Sequence, residues 1–252
     1  MKDIFIGDIG KGIPLVLIHG FLGSSEMWKP QVEYFKKSHR VIFPALPGFG
    51  KSSHVKSCDT IECMAKAILN ALKIKKIKRF NLLGHSMGGM IVQEMTKLAD
   101  EKILKLICYG TGPRGNIPGR FETIDQSREK LKINGLKDTA HRIFKTWFIE
   151  GDKAKYFYLC DEAGKQTSQE AADNGLIAMK NWSGVDNLKN INNETLIVWG
   201  DQDRAYNYDQ VETLKNNISN SDLKIIKGCS HNVHLEKPNE FNKILSEFLK
   251  KN

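Results

Sequence analysis

The segment NLLGHSMGGM, residues 81–90, places a serine between two glycines, after an apolar run and ahead of an amphipathic stretch. Glycine weakens both strands and helices, so a Gly-x-Ser-x-Gly at such a junction answers a backbone need. That need is a nucleophile elbow, a strand-to-helix turn so tight that the serine is strained and its neighbours must lack bulk. Gly84 and Gly88 leave that room, Gly89 lets the next helix start close to the strand, and Ser86 is lifted to the helix's positive end. Taken alone, the same letters also describe a glycine-rich turn whose serine caps a helix. A serine hydroxyl is a weak nucleophile at its free pKa, and it needs a general base oriented by a carboxylate. Two later segments offer both. ETLIVWGDQDR (194–204) ends an apolar run in Asp201 and Asp203, and DLKIIKGCSH (222–231) ends the next in His231. The chemistry this order predicts is acyl transfer through a covalent serine intermediate.

Those groups meet only if the chain forms a parallel sheet and carries them at its carboxyl edge. Short apolar runs at IPLVLIHG (13–20), HRVIFPALPG (39–48), RFNLLGHS (79–86) and KLICYGTG (105–112) predict strands. They are too continuous for half-exposed strands, so helices must cover both faces. Amphipathic segments predict helices over 24–38, 60–74 and 88–101, the second entered through Asp59-Thr60, a good N-cap pair. From Pro113 to about Asn192 the strand signal stops, and aromatic and charged residues mix in helix-like stretches such as GLKDTAHRIFKTWFIEG (135–151). Strands resume at 194–203 and 222–231, and PNEFNKILSEFLKKN closes the chain as a helix. The expected fold is α/β, a doubly wound and mostly parallel sheet, with core segments 1–112 and 193–252 and a helical cap at 113–192.

The 252 residues suffice for one large α/β core. Hydrophobic residues make up 40% and charged residues 27%, an ordinary globular balance that argues against a disordered chain. No apolar run reaches the roughly 20 residues of a membrane helix, and MKDIFIGDIG is too short and polar for a signal-peptide core. The expected location is the cytoplasm. Five scattered cysteines without a C-x-x-C pair fit reduced thiols, with no disulfide framework and no zinc site. The net charge of +9 is spread along the chain and densest in KIKKIKR (73–79), without interleaved aromatics. It predicts no nucleic-acid and no membrane surface, and leaves an acidic carrier protein open as a partner.

LIHGFLGSS, LPGFGKSS, GHSMGGM, IVWGDQD and GCSHNVHLEKPNEF, in this order, resemble the α/β-hydrolase fold superfamily over nearly the whole chain. The resemblance implies that Asp203, last in Gly-x-x-Asp, is the acid of the triad, with Asp201 a turn residue and His231 the base. It implies an oxyanion hole from the backbone N–H groups of Phe21 and Met87. His19 and His85 then brace loops, and His234, one helical turn past the base, is a wall or surface residue. No metal and no organic cofactor are implied. A serine at the elbow disfavours the dehalogenases and epoxide hydrolases, which carry aspartate there. One departure is Ala45 in FPALPGFG, where the family commonly has an aspartate that braces the loop.

The resemblance also places the cap between strands six and seven and gives its side chains the task of shaping the substrate pocket. Candidates are Trp147, Phe148, Met179, Trp182 and Arg120, with Arg114 beside them. Each aromatic is equally readable as core, and Arg120 either receives a substrate carboxylate or stays solvated. The cap is similar to that of the esterase and 3-oxoadipate enol-lactonase branch. The expected activity is hydrolysis of a small ester, lactone or thioester by a monomer or homodimer. A carbon–carbon bond hydrolase, a carrier-protein or coenzyme A thioester hydrolase, and a hydrolase-like ligand receptor are the alternatives.

Overall fold

A computed structural model describes residues 3–118 and 120–250. Seven strands form one sheet: β1 (Ile6–Ile9), β2 (Pro14–Ile18), β3 (Arg40–Pro44), β4 (Phe80–His85), β5 (Ile103–Tyr109), β6 (Glu194–Gly200) and β7 (Ser221–Ile226). Their spatial order is β1-β3-β2-β4-β5-β6-β7, and every pairing is parallel except that of β1 with β3. This is the doubly wound α/β sheet that the apolar runs predict. The strand order reverses at β2, which pairs β3 on one side and β4 on the other. Loops leaving β2 and β4 therefore part there, and the crevice between them is where an open sheet takes a ligand.

Continuous apolar runs mark strands covered on both faces. All six residues of β4 are buried, and their side chains divide between two cores with the period of a strand. Val16, Ile18 and Leu82 join Ile61, Met64 and Ile68 of α2 (Ile61–Ile74) and Met90 and Ile91 of α3 (Met87–Ala99). Leu15, Leu17 and Leu83 join Val32 and Phe35 of α1 (Lys29–Phe35) and Phe241, Leu245 and Phe248 of α9 (Pro238–Lys250). At the edge, β7 is exposed at three of its six positions, Asp222, Lys224 and Ile225.

Several boundaries differ from the sequence reading. The segment 24–38 is a single 3₁₀ turn (Ser25–Trp28) followed by α1, because Pro30 is tolerated only in the first helical turn. β7 stops at Ile226, since Gly228 takes φ +61° in the turn that follows. β1 has no counterpart among the predicted strands. Gly7 and Asp8 are poor strand formers, and β1 exists through its pairing with β3. Cys58 and Cys63, expected as free thiols, form a disulfide with Cα atoms 5.8 Å apart. Thr60 caps α2 by accepting from the Cys63 N–H, which folds the preceding loop over the helix's first turn and brings the two side chains together. Cys108, Cys160 and Cys229 are free and buried.

Between β5 and β6 run three helices: α4 (Ile124–Lys145), broken at Gly135 with φ +74°, α5 (Phe157–Lys165) and α6 (Gln169–Lys180). In this sheet the flanking strands are the fifth and sixth of the seven, not the sixth and seventh. The stretch 135–151 is helical only to Lys145 and then turns. After β6 come α7 (Tyr208–Asn217) and the short α8 (Val233–Glu236). None of the helices is long and apolar enough to cross a membrane among the described residues.

The helical segment is tied internally by Glu122, whose carboxylate has 5% exposure and accepts from Ser127, Lys130 and Arg142. Burial alone would raise its pKa, but hydrogen bonds from Lys130, Ser127 and Arg142 outweigh that and hold it below the ordinary value. A depressed pKa contributes stability above the unfolded value, and the contribution is lost as pH falls through the folded one. Arg142→Met should destabilise the protein by about 1–2 kcal/mol at pH 7, with Lys130 left to compensate. In urea titrations the difference from the parent should shrink as pH drops below the carboxylate range.

Candidate active site

The turn between β4 and α3 holds Ser86 at φ 57° and ψ −120°, a conformation that L residues rarely adopt. Packing over-determines it. Ser86 N–H donates to the Tyr109 carbonyl at 2.9 Å, and Thr111 Oγ1 donates to the Ser86 carbonyl at 2.9 Å. A Cβ on Gly84 would lie 2.2 Å from the Gly88 carbonyl oxygen, so the elbow closes only with glycine there. The β2 loop lies against Ser86, since a Cβ on Gly20 would stand 2.9 Å from Ser86 Cβ. Met87 is the first residue of α3, where backbone N–H groups have no intrahelical acceptor. Phe21 follows Gly20 on the facing loop.

Asp203 lies in the turn after β6, and His231 lies between β7 and α8. His231 Nδ1 donates to Asp203 Oδ2 at 2.8 Å, and both side chains are essentially without solvent contact. The other carboxylate oxygen, Oδ1, accepts from the N–H groups of Ala205 at 2.7 Å and Tyr206 at 3.1 Å. With Nδ1–H on the carboxylate, Nε2 is left unprotonated and able to accept a proton. Tyr206 flanks this pair, its ring stacked on that of His231 with centroids 5.8 Å apart. The structure thus brings Ser86, Asp203 and His231 to one edge of the sheet, with Ser86 keeping 7% of its surface open. Asp201 stays apart and caps the turn after β7 by accepting from the Gly228 N–H at 2.7 Å.

The remaining histidines brace this frame. His19 Nδ1–H donates to the Gly20 carbonyl at 2.9 Å while Nε2 accepts from the Leu46 N–H at 3.0 Å. Burial holds its pKa down to about 4. His85 stacks on Tyr109 and donates through Nε2 to the His231 carbonyl at 3.2 Å. His234 lies in a cage, not on the surface. It is 1% exposed, against Trp28 and Tyr109, and Tyr109 Oη in turn donates to the His231 carbonyl at 2.9 Å. Burial lowers the pKa of His85 far below its usual value and that of His234 to about 3. Neither is cationic near neutrality; each keeps a single ring proton, and they brace the backbone of His231. Where Ala45 stands, its carbonyl accepts from Ser52 Oγ at 3.0 Å, which braces that loop without an aspartate.

The cap residues sort differently. Trp147 reaches the site, with its ring 5.7 Å from that of His231. Phe148 packs on Phe157 of α5 at 5.8 Å. Trp182 donates Nε1 to Glu94 of α3 at 2.9 Å, so it ties the cap to the core, and Met179 is buried in the first core. Arg114 bridges by backbone to Ser183. Arg120 is half-buried, and its Nε is shielded from solvent without a partner among the described residues. It lines a cavity of about 270 Å³ with Ile117, Phe121, Asp203 and Arg204. A larger cleft of about 980 Å³, between α4 and α5, has no triad residue in its wall. Among the described residues no group of three His, Cys, Asp or Glu side chains is arranged to hold a metal ion. Tyr206 is the site residue that the sequence reading misses. The only signal for it is an aromatic residue three positions after the acid.

A family profile described as the alpha/beta hydrolase fold matches residues 13–238. The pimeloyl-[acyl-carrier protein] methyl ester esterase of Legionella pneumophila is 25% identical, across 98% of this chain and all of its own. The (E)-2-((N-methylformamido)methylene)succinate hydrolase of Acinetobacter baylyi is 24% identical, across 95% of this chain and 91% of its own. Among solved structures, an enol-lactonase from Burkholderia xenovorans superposes with a TM-score of 0.89 at 22% identity, covering 98% of this chain and 96% of its own. With a serine elbow at its centre and a profile match over most of its length, the chain belongs to the α/β-hydrolase fold family.

Proposed function

We propose that this chain is a serine hydrolase that cleaves a carboxylic ester, lactone or thioester of a small acyl substrate through Ser86, His231 and Asp203. The observation that carries the reading is the buried Asp203–His231 hydrogen bond beside the strained Ser86 elbow. Ser86 Oγ attacks the carbonyl carbon while His231 Nε2 takes its proton, and Asp203 holds the tautomer and balances the charge. The N–H groups of Phe21 and Met87 receive the oxyanion, each worth on the order of 3 kcal/mol of barrier. The leaving alcohol takes the proton from His231. Water then enters through the same base, adds to the acyl-enzyme and frees Ser86. The reaction as written uses no metal and no organic cofactor.

Residues 113–192 act as the cap, with Trp147 as apolar wall beside the base. Arg120 gives the site a preference for acyl groups that end in a carboxylate, because its guanidinium lacks an acidic partner among the described residues. The protein works in the cytoplasm on a small molecule. The net charge of +9 and the carrier-protein ester named for one relative leave an acyl carrier as a carrier-borne form of that substrate.

The test is hydrolysis of p-nitrophenyl esters from acetate to decanoate, extended to ω-carboxylate esters and their methyl-capped counterparts. Multiple turnover is expected, with the best chain length sizing the pocket. Release that stops at one equivalent per protein would overturn the enzyme reading in favour of a receptor. Arg120→Met should lower kcat/KM for the carboxylate esters about 10–100-fold and leave the capped esters unchanged. Equal effects on both sets would remove the carboxylate preference.

A further inference from the structure

The Cys58–Cys63 disulfide has no part in the mechanism above, yet it pins the loop on which the cap rests. Residues 53–60 lead from the loop after β3 into α2. Lys56 to Asp59 make no backbone–backbone hydrogen bond among the described residues. The disulfide, the packing of Cys58 in the first core and one side-chain bond are left to fix them. That bond runs from Asn174 Nδ2 of α6 to Ser57 Oγ at 2.9 Å. α6 lies close along the same loop: a Cβ on Gly48 would stand 2.7 Å from the Cβ atoms of both Ala171 and Ser57. One turn further along α6, a Cβ on Gly175 would stand 3.0 Å from the ring of Phe21 and 3.3 Å from that of Phe49. The seat of α6 therefore runs without a break from the disulfide loop to Phe21, the oxyanion donor of the mechanism above.

The bond is also within reach of solvent thiols. Cys58 is buried, but Cys63 is half-buried and borders a cavity of about 400 Å³ with Pro47, Val55 and Ala67. A thiolate entering there meets Cys63 Sγ. It bonds to that sulfur as the bond to Cys58 breaks, and Cys58 leaves with the electron pair and takes up a proton. A second thiol then attacks the sulfur of the first, and Cys63 leaves with its own pair. Two thiols are oxidised to one disulfide, and both electrons pass to the cysteines. Reduced Cys63 stands in the first turn of a 14-residue helix, whose dipole favours its thiolate. That thiolate is the nucleophile that re-forms the bond when a disulfide oxidant arrives.

We propose that Cys58–Cys63 is a thiol–disulfide modification site whose state sets how firmly α6 is seated over the substrate pocket. The co-reactant is a small thiol of the glutathione type, and the pocket half of the inference rests on the hydrolase reading above. In the oxidised protein the loop is pinned to α2 and presents Ser57 to Asn174. In the reduced protein residues 56–59 lose their covalent anchor, and Ser57 no longer holds one place for that bond. The Asp203–His231 pair lies on other segments and is untouched. Reduction therefore bears on substrate binding and not on proton transfer.

Protein treated with oxidised glutathione and alkylated after denaturation should take three labels, and five once dithiothreitol has been added. Amide hydrogen exchange, followed by mass spectrometry, should quicken over 53–60 and 169–180 on reduction and stay unchanged over 230–236. On p-nitrophenyl esters the reduced protein should show a KM about 3–10-fold higher, the factor that one neutral hydrogen bond carries, with kcat little changed. Cys58→Ser combined with Cys63→Ser should behave as the reduced protein under either condition. Ser57→Ala keeps the disulfide and cuts the bond to α6, so its KM should be raised when oxidised and should not respond to dithiothreitol. Five labels after oxidised glutathione, or equal exchange over 169–180 in both states, would overturn the proposal, as would an active protein whose KM ignores reduction. An exchange response without ester turnover in either state would instead remove the hydrolase reading and leave the thiol site standing, so the two failures are distinguishable.

Discussion

Ser86→Ala is expected to lower kcat for ester hydrolysis by about a millionfold, the scale on which triad nucleophiles act as a unit with their base. Its melting temperature should match the parent, because the hydroxyl makes no contact that the fold depends on. Ser86→Gly separates chemistry from conformation. It loses the same activity, but it relieves the φ 57°, ψ −120° geometry, which costs of order 1–3 kcal/mol in a non-glycine residue. Part of that gain is offset by the greater freedom of glycine in the unfolded chain. The glycine variant should therefore be the more stable of the two inactive proteins by about 1 kcal/mol in urea titration. Retained turnover in either variant would remove Ser86 from the mechanism. A glycine variant no more stable than the alanine one would mean that the surrounding structure bears no strain.

Asp203→Asn should cost about 10⁴-fold in kcat with little change in KM, and the reason lies in the local hydrogen bonds. Oδ1 sits against two N–H donors, those of Ala205 and Tyr206. An asparagine there must point its carbonyl oxygen at them, since its amide group cannot accept. The amide NH₂ is then turned toward His231 Nδ1, which must accept, and the ring proton moves to Nε2. That tautomer presents a donor to Ser86 where an acceptor is required. Near-parent activity at pH 7 would show that Asp203 does not set the tautomer. Crystallographic or NMR assignment of the His231 tautomer in the variant checks the intermediate step.

The parts of the fold legible in the sequence are those fixed by local chemistry. β4 and β6 read directly because a strand covered on both faces carries an unbroken apolar run, Leu82–Leu83 in one and Leu196–Trp199 in the other. α2 read because Thr60 caps it and its apolar residues recur at helical spacing. β1 did not, because its existence lies in the register with β3 (Ile6 opposite Pro44) and not in its own four residues. The Cys58–Cys63 disulfide did not, because sequence spacing says nothing about a loop folded back over a helix end. At the site, Ser86, Asp203 and His231 sit at strand ends, where an apolar run stopping at a polar residue is visible. Tyr206 and His234 act through stacking and packing between segments remote in sequence, which no spacing encodes. For the same reason the aromatic residues of the cap could not be assigned to wall or core: Trp147 meets His231, while Trp182 is turned onto Glu94.

The descending end of α4 is stitched to the loop that carries the base. Asn232 N–H donates to the Trp147 carbonyl at 3.0 Å, and Ser230 Oγ to the Thr146 carbonyl at 3.0 Å. Glu236 receives the N–H of Ile149 at 2.6 Å on one oxygen and that of Ser230 at 2.7 Å on the other. Mechanically this is a latch, and His231 rides on it. Displacing the end of α4 at this flank would pull His231 away from Asp203, so on the proposed reading an opening that admits substrate must leave this flank in place. On the proposed mechanism, the Asp203–His231 pair is then assembled before substrate arrives, and any reorganisation on binding falls on the acyl pocket and not on the proton-transfer groups.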